Sequence, residues 1–271
     1  MRAAQALLVL SCGVLCASHA IAARTHPLPP SPRPAALVVA AARRPVARRR
    51  PPDAPAPVST SLLLANGLVF VLTMRQPRLM RLLAKDDASL RRHAAQWYRC
   101  LSACFLHASV PHVLVNSLSL HNLGPAVERS FGPDRTLALY LASGVSGNVL
   151  SYAAGRSPVA VGASGAIFGL LGGWAVFLQR NHDFFAARGV DVRSSLTSIA
   201  RTCALNAALG LPAGARVDNM GHLGGLLGGA ACSFLFGPRL RSSRRGVTDQ
   251  PLVRLPRGPL ERSKRKRLRV R

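Results

Sequence analysis

Four side chains in this sequence have types and spacings suited to acyl transfer: Ser164, His222, His112 and Asn116. Ser164 sits in Gly162-Ala163-Ser164-Gly165, where a loop is predicted to become a helix, so that first-turn N–H groups stay unpaired beside its hydroxyl. A serine hydroxyl is a weak nucleophile until a neighbouring base accepts its proton, and His222 is the candidate base. His112 and Asn116, four residues apart, share one helical face. Both can donate hydrogen bonds to an oxyanion alongside the Ser164 N–H. Plainer roles stay open: Ser164 as a helix N-cap, His112 and Asn116 as a polar pair satisfied inside a bundle. The glycines add a second signal. Gly165, Gly169 and Gly173 recur every fourth residue after the serine, as do Gly221, Gly225 and Gly229 around the histidine. Small residues at this interval let two helices approach closely. If the stripes face one another, Ser164 and His222 come within hydrogen-bond reach, about 2.6–3.2 Å. Packing alone would also explain the glycines, but it leaves a histidine in an apolar helix without a role.

The elements that must carry these residues are apolar. A formal charge of +26 with 49% hydrophobic residues suits a chain whose basic and apolar residues are segregated. Arginines crowd the first fifty residues and everything after Arg239, whereas 58–238 is largely apolar. The pattern predicts a polytopic membrane core between basic extramembrane ends. The expected fold class is all-α, a bundle of six transmembrane helices over 58–238: about Thr60–Met74, His112–Phe131, Arg135–Ala154, Ser164–Gln179, Ser195–Leu211 and Asn219–Gly237. Breaks are read at Gly132-Pro133-Asp134, Gly155-Arg156-Ser157-Pro158, Pro212-Ala213-Gly214 and Gly237-Pro238. An even number of spans puts both ends on one side, and the second, fourth and sixth helices then enter from one face. His112, Asn116, Ser164, Asn219 and His222 all open those helices, at one depth. The loop from Arg75 to Pro111 runs against the positive-inside tendency, with seven basic residues offset only by Asp86 and Asp87.

Residues 1–22 read as a signal-like segment, and 23–57, rich in Ala, Pro and Arg, as a disordered, transit-peptide-like stretch. Together they suggest a bipartite plastid leader and a plastid membrane location. A single cleaved signal or a first anchor followed by a linker is the simpler alternative. Residues 239–271 are expected to be a disordered basic tail facing anionic lipid, because no aromatic residue is interleaved for stacking on nucleic acid. The six cysteines lack framework or ligand spacing and read as small packing residues. No metal and no cofactor is expected: there is no His-x-x-x-His pair, and Glu128, the only glutamate of the core, lies at the far end of the second helix.

At these residues the chain resembles the rhomboid intramembrane proteases, over about 97–240. The likeness is carried by Trp97-Tyr98-Arg99, Phe105-Leu106-His107 with His112 and Asn116, and Val127-Glu128 with Gly132. It continues through Gly162-Ala163-Ser164-Gly165-Ala166-Ile167-Phe168-Gly169 and Asp218-Asn219-Met220-Gly221-His222-Leu223-Gly224-Gly225. Residues 199–211 and the run to Pro238 look most like the plastid and cyanobacterial branch, although Met220 stands where such members often carry tryptophan. The resemblance implies a Ser164–His222 dyad without a third acid, an oxyanion hole of His112, Asn116 and the Ser164 amide, and a Phe168 ring stacked on the histidine. Gly162, Gly165, Gly221 and Gly225 would be supporting positions. Implied substrates are membrane proteins with a helix-destabilised transmembrane segment, entering past the fifth helix and first loop and cleaved through an acyl-enzyme. Asp218, four residues before His222, reads as the cap of the sixth helix and not as a triad acid. Two rivals are a catalytically silent relative acting as membrane chaperone or scaffold, which would lose the dyad, and a small channel or transporter.

Overall fold

The computed structural model describes residues 55–211, 217–243 and 246–254. The signal-like segment, nearly all of the transit-like stretch and the tail beyond 254 lie outside these residues. Helix α1 (Pro57–Arg75) is followed by three short helices, α2 (Pro77–Leu83), α3 (Asp87–Arg92) and α4 (Arg99–Ser102). Then come α5 (Val110–Phe131), α6 (Pro133–Ala154), α7 (Ser164–Arg180), short α8 (His182–Ala186), α9 (Val192–Leu209) and α10 (Asn219–Phe236).

Each long helix overlies one of the six predicted, and the differences at the ends have physical causes. Three of them begin earlier, with proline in the first turn at Pro57, Pro111 and Pro133. Proline has a fixed φ and no N–H to leave unpaired, so the Gly132-Pro133 break is in fact the start of α6. Gly132, at φ 86°, makes the corner. Helix α9 starts at Val192 because the Asp191 side chain accepts from Ser194 N at 2.9 Å, and it stops at Leu209 with Gly210 as its cap.

The described residues are mostly helical, with two short strand pairs besides. Strand β1 (Lys85–Asp86) pairs antiparallel with β2 (Val159–Ala160), and β3 (Leu240–Ser243) with β4 (Gly246–Asp249). The second pair corrects the expectation of disorder from residue 239. Asp249 pairs with Arg135 on α6 at 2.5 Å and accepts from Arg239 N at 3.0 Å. At the end of α7, Asn181 accepts from Leu240 N at 2.6 Å and donates to Pro238 O at 3.0 Å. These long-range bonds order the hairpin where local composition predicted none.

Among the described residues α1 alone is long and apolar enough to cross a membrane, with mean hydropathy 1.6. The segments Ala94–Phe105 and Val110–Phe131, bent by 80°, pass the same test together. The other long helices are diluted by glycine, serine and polar residues, many of which face their neighbours. Helix α7 is the centre: Ala166, Ile167, Leu170, Leu171, Trp174, Phe177 and Leu178 are all buried on it. Leu120, Leu123 and Val127 of α5 and Leu139 and Tyr140 of α6 join the same core.

Two of the seven basic residues in the first loop turn inward. Arg99 donates to Arg81 O, Ala84 O and Gln96 Oε1 at 2.8–3.0 Å, and Lys85 is fully buried. Asp86 caps α3, and its hydrogen bond from the Ser89 hydroxyl holds its carboxyl below the usual value.

Glu128 fastens α1 to α5. Its fully buried carboxylate accepts from Val58 N at 3.1 Å, Ser59 N at 2.8 Å and Ser59 Oγ at 2.9 Å, at the positive end of the α1 dipole. In Glu128→Gln an amide NH2 would face main-chain donors. Stability to detergent unfolding is expected to fall by about 1–3 kcal/mol, read from the midpoint shift.

Candidate active site

Ser164 opens α7, so its main-chain N–H has no intrahelical acceptor. His222 stands in the first turn of α10, one residue beyond the N–H that the Asp218 side chain caps, Gly221 N at 2.9 Å. The glycine stripes determine how near these two helix starts come. An added Cβ at Gly225 would lie 1.9 Å from Gly165 O, and one at Gly229 only 2.0 Å from Gly169 O. Main chain therefore meets main chain along this seam, closer than any side chain would permit. At its upper end Ser164 Oγ and His222 Nε2 are 2.9 Å apart, within the reach of proton transfer.

Phe168 lies one turn after the serine, and its ring stacks on the His222 imidazole with centroids 4.3 Å apart and planes at 6°. That contact fixes the plane in which Nε2 points. His222 Nδ1 is buried with no hydrogen-bond partner among the described residues. Asp218 does not serve it, being engaged by Gly221 N and the Ser151 hydroxyl.

The donors expected for an oxyanion converge on Gly162. This residue has φ 132°, and a Cβ there would lie 2.7 Å from His112 Nε2 and 3.6 Å from Asn116 Nδ2. Both the backbone conformation and the close approach require glycine. Asn116 Nδ2 is buried with no partner among the described residues, a donor left free beside the serine loop. The His107 ring meets His112 edge-on at 5.1 Å and limits its rotation. Gly162 N donates to Ala103 O at 3.0 Å, which ties the serine loop to the first loop. The structure thus gathers Ser164, His222, His112, Asn116, Phe168 and the glycines Gly162, Gly165, Gly221 and Gly225 around one point. The arrangement places a hydroxyl against a base and unspent donors on the other side of the same loop.

A cleft beside the pair is lined by Gly144, Asn148, Val161, Ser164, Asp218 and His222. Asn148, which donates to Cys100 O at 2.8 Å, was missed by the sequence reading. Like His222 it is a polar residue within a largely apolar helix, and that is the signal in the sequence that marks it. Lys85 and Ser151, behind Asp218, carried no such mark. Among the described residues no cluster of His, Cys, Asp or Glu is arranged to hold a metal ion, and Cys100, Cys104, Cys203 and Cys232 are free.

Comparison with known proteins gives the family of the chain. The Rhomboid domain family model matches residues 94–239, more than half of the chain. The chain is 38% identical over 168 residues to Rhomboid protease GluP of Bacillus subtilis (strain 168), covering 59% of this chain and 31% of that protein. It is 39% identical over 151 residues to RHOMBOID-like protein 1 of Arabidopsis thaliana, covering 55% and 37%. With the Putative rhomboid protease YdcA of Bacillus subtilis (strain 168) it shares 33% identity over 141 residues, 52% of this chain and 67% of that protein. The matched region thus spans only about a third of the first two relatives.

Proposed function

Since the chain belongs to the rhomboid family, we propose that it is an integral membrane serine endopeptidase that cleaves transmembrane segments of other membrane proteins. The observation that carries the reading is the 2.9 Å hydrogen bond between Ser164 Oγ and His222 Nε2. In the proposed reaction His222 takes the serine proton as Ser164 attacks a peptide carbonyl. His112, Asn116 and the Ser164 N–H hold the oxyanion until His222 protonates the leaving amine. Water, deprotonated by His222, then opens the acyl-enzyme. The six long helices are proposed to be six membrane spans, with their Gly and Ser faces turned to one another and α1 reaching the lipid through Leu64, Leu68 and Met74, each more than half exposed. The natural substrates are proposed to be helices that unwind easily near the membrane surface.

A silent chaperone would have no reason to keep a nucleophile and a base in register, so the enzyme is the favoured reading. A plastid address is proposed from the composition of residues 1–57 alone, because the relatives named above include both bacterial and plant proteins.

The test is reaction of the purified full chain with a fluorophosphonate and cleavage of a generic single-span reporter in lipid. Labelling that survives in both Ser164→Ala and His222→Ala would defeat the proposal. Asn116→Ala removes one oxyanion donor while leaving the dyad intact, and its kcat is expected to fall about 10²-fold with KM little changed.

A further inference from the structure

We propose that Lys85 and Ser151 are positioning residues that hold the serine loop and the start of the histidine helix in mutual register; the inference rests on the protease reading above. Lys85 is fastened to both sides of the site. Through its main chain it belongs to β1, whose partner β2 ends four residues before Ser164, with Lys85 opposite Ala160 and Asp87 N donating to Pro158 O at 2.9 Å. Through its side chain it reaches the other helix. Lys85 Nζ, fully buried, donates to Ser151 Oγ at 3.0 Å and to Ser157 O at 2.6 Å, and pairs with Asp87 at 2.8 Å. The Ser151 hydroxyl in turn donates to Asp218 Oδ2 at 2.5 Å. The other oxygen of Asp218 accepts from Gly221 N at 2.9 Å, and its carbonyl accepts from His222 N at 3.0 Å.

One lysine is therefore joined to the chain entering the nucleophile and, through a single hydroxyl, to the cap of the helix that carries the base. A buried ion pair is seldom the most stabilising way to fill an interior. The location of this one, behind both arms of the dyad and touching neither reacting atom, fits a role in setting their relative position. Neither Ser164 nor His222 has another side chain of the first loop hydrogen-bonded to the turn that holds it, among the described residues.

Ser151→Ala isolates the link. Lys85 keeps Asp87 and Ser157 O, and Asp218 keeps Gly221 N, so neither charge is stranded and the variant is expected to fold. In the purified full chain the fluorophosphonate is expected to label Ser164 to the same final extent as in the unsubstituted protein, but with a rate constant lower by roughly tenfold, as expected when reacting groups are held less well in register. The kcat on the single-span reporter should fall by the same factor with KM unchanged, and Ser151→Thr, which retains the hydroxyl, should recover the rate. Should Ser151→Ala not yield folded protein, Asp218→Asn asks the same question, because it keeps a cap acceptor but loses the charge facing Ser151. An unchanged rate constant would overturn the proposal. So would a loss confined to the final extent of labelling, since that marks misfolded protein and not a displaced dyad. An unsubstituted chain that takes no label would instead overturn the protease reading, and this inference with it.

Discussion

Cleavage of a single-span reporter by the Ser164→Ala chain is expected to fall by at least about 10⁴-fold, and His222→Ala should fall by as much. The size follows from the arrangement. Ser164 and His222 share one hydrogen bond at 2.9 Å, and His222 Nδ1 has no partner among the described residues that could stand in for a missing group. A nucleophile without its base and a base without its nucleophile are equally idle, so the two losses should not add. The double variant is expected to be no worse than either single one, with folding checked by the unfolding midpoint in detergent. Turnover within about tenfold of the unsubstituted chain, in either single variant, would leave the dyad without a role.

The second large effect is expected at Gly225→Ala, a change of one methyl group outside the reacting atoms. The new Cβ would lie 1.9 Å from the Gly165 carbonyl oxygen and 2.7 Å from its carbonyl carbon, against ordinary contact that begins at 3.4 Å. Both obstacles are main chain and cannot rotate away, so α7 and α10 must separate locally. Gly165 is bonded to Ser164, and Gly225 lies one turn below His222, so the separation reaches the hydrogen bond between Ser164 and His222. The expected result is a loss of about 10² in kcat together with about 1–3 kcal/mol of stability. Gly165→Ala, whose Cβ would meet Gly221 O at 3.3 Å, should be milder. Gly67→Ala on α1, with nothing within 4 Å, should be neutral. Equal activity in Gly225→Ala and Gly67→Ala would show that the seam does not govern the site.

These contrasts also show what could be read from residue order. The six long helices were legible because apolar runs and turn-forming breaks are local properties, and the errors fell at their ends, where an opening proline or the Asp191 cap sets the first residue. Ser164 and His222 stood out because each adjoins a glycine stripe, and a stripe has meaning only against a second stripe. The β1–β2 pair was illegible, because two-residue strands have no periodicity and are held by partners some seventy residues away. Lys85 looked like any other charge in a basic loop. Its burial depends on Asp87, Ser151 and the Ser157 carbonyl, an environment assembled only by the tertiary fold. The hairpin after α10 escaped notice for the same reason: Arg135 and Asn181, which anchor it, lie far back in the chain.

The contact between Gly165 and Gly225, and again between Gly169 and Gly229, leaves no rotamers to rearrange. Helices joined by interleaved side chains can slide by exchanging one interlock for another, whereas bare backbones in contact have only one fit. At these two contacts the helices bearing the proposed nucleophile and base have no side chain whose rotation could let them part. Room for the proposed polypeptide substrate is therefore expected to open at other walls of the cleft.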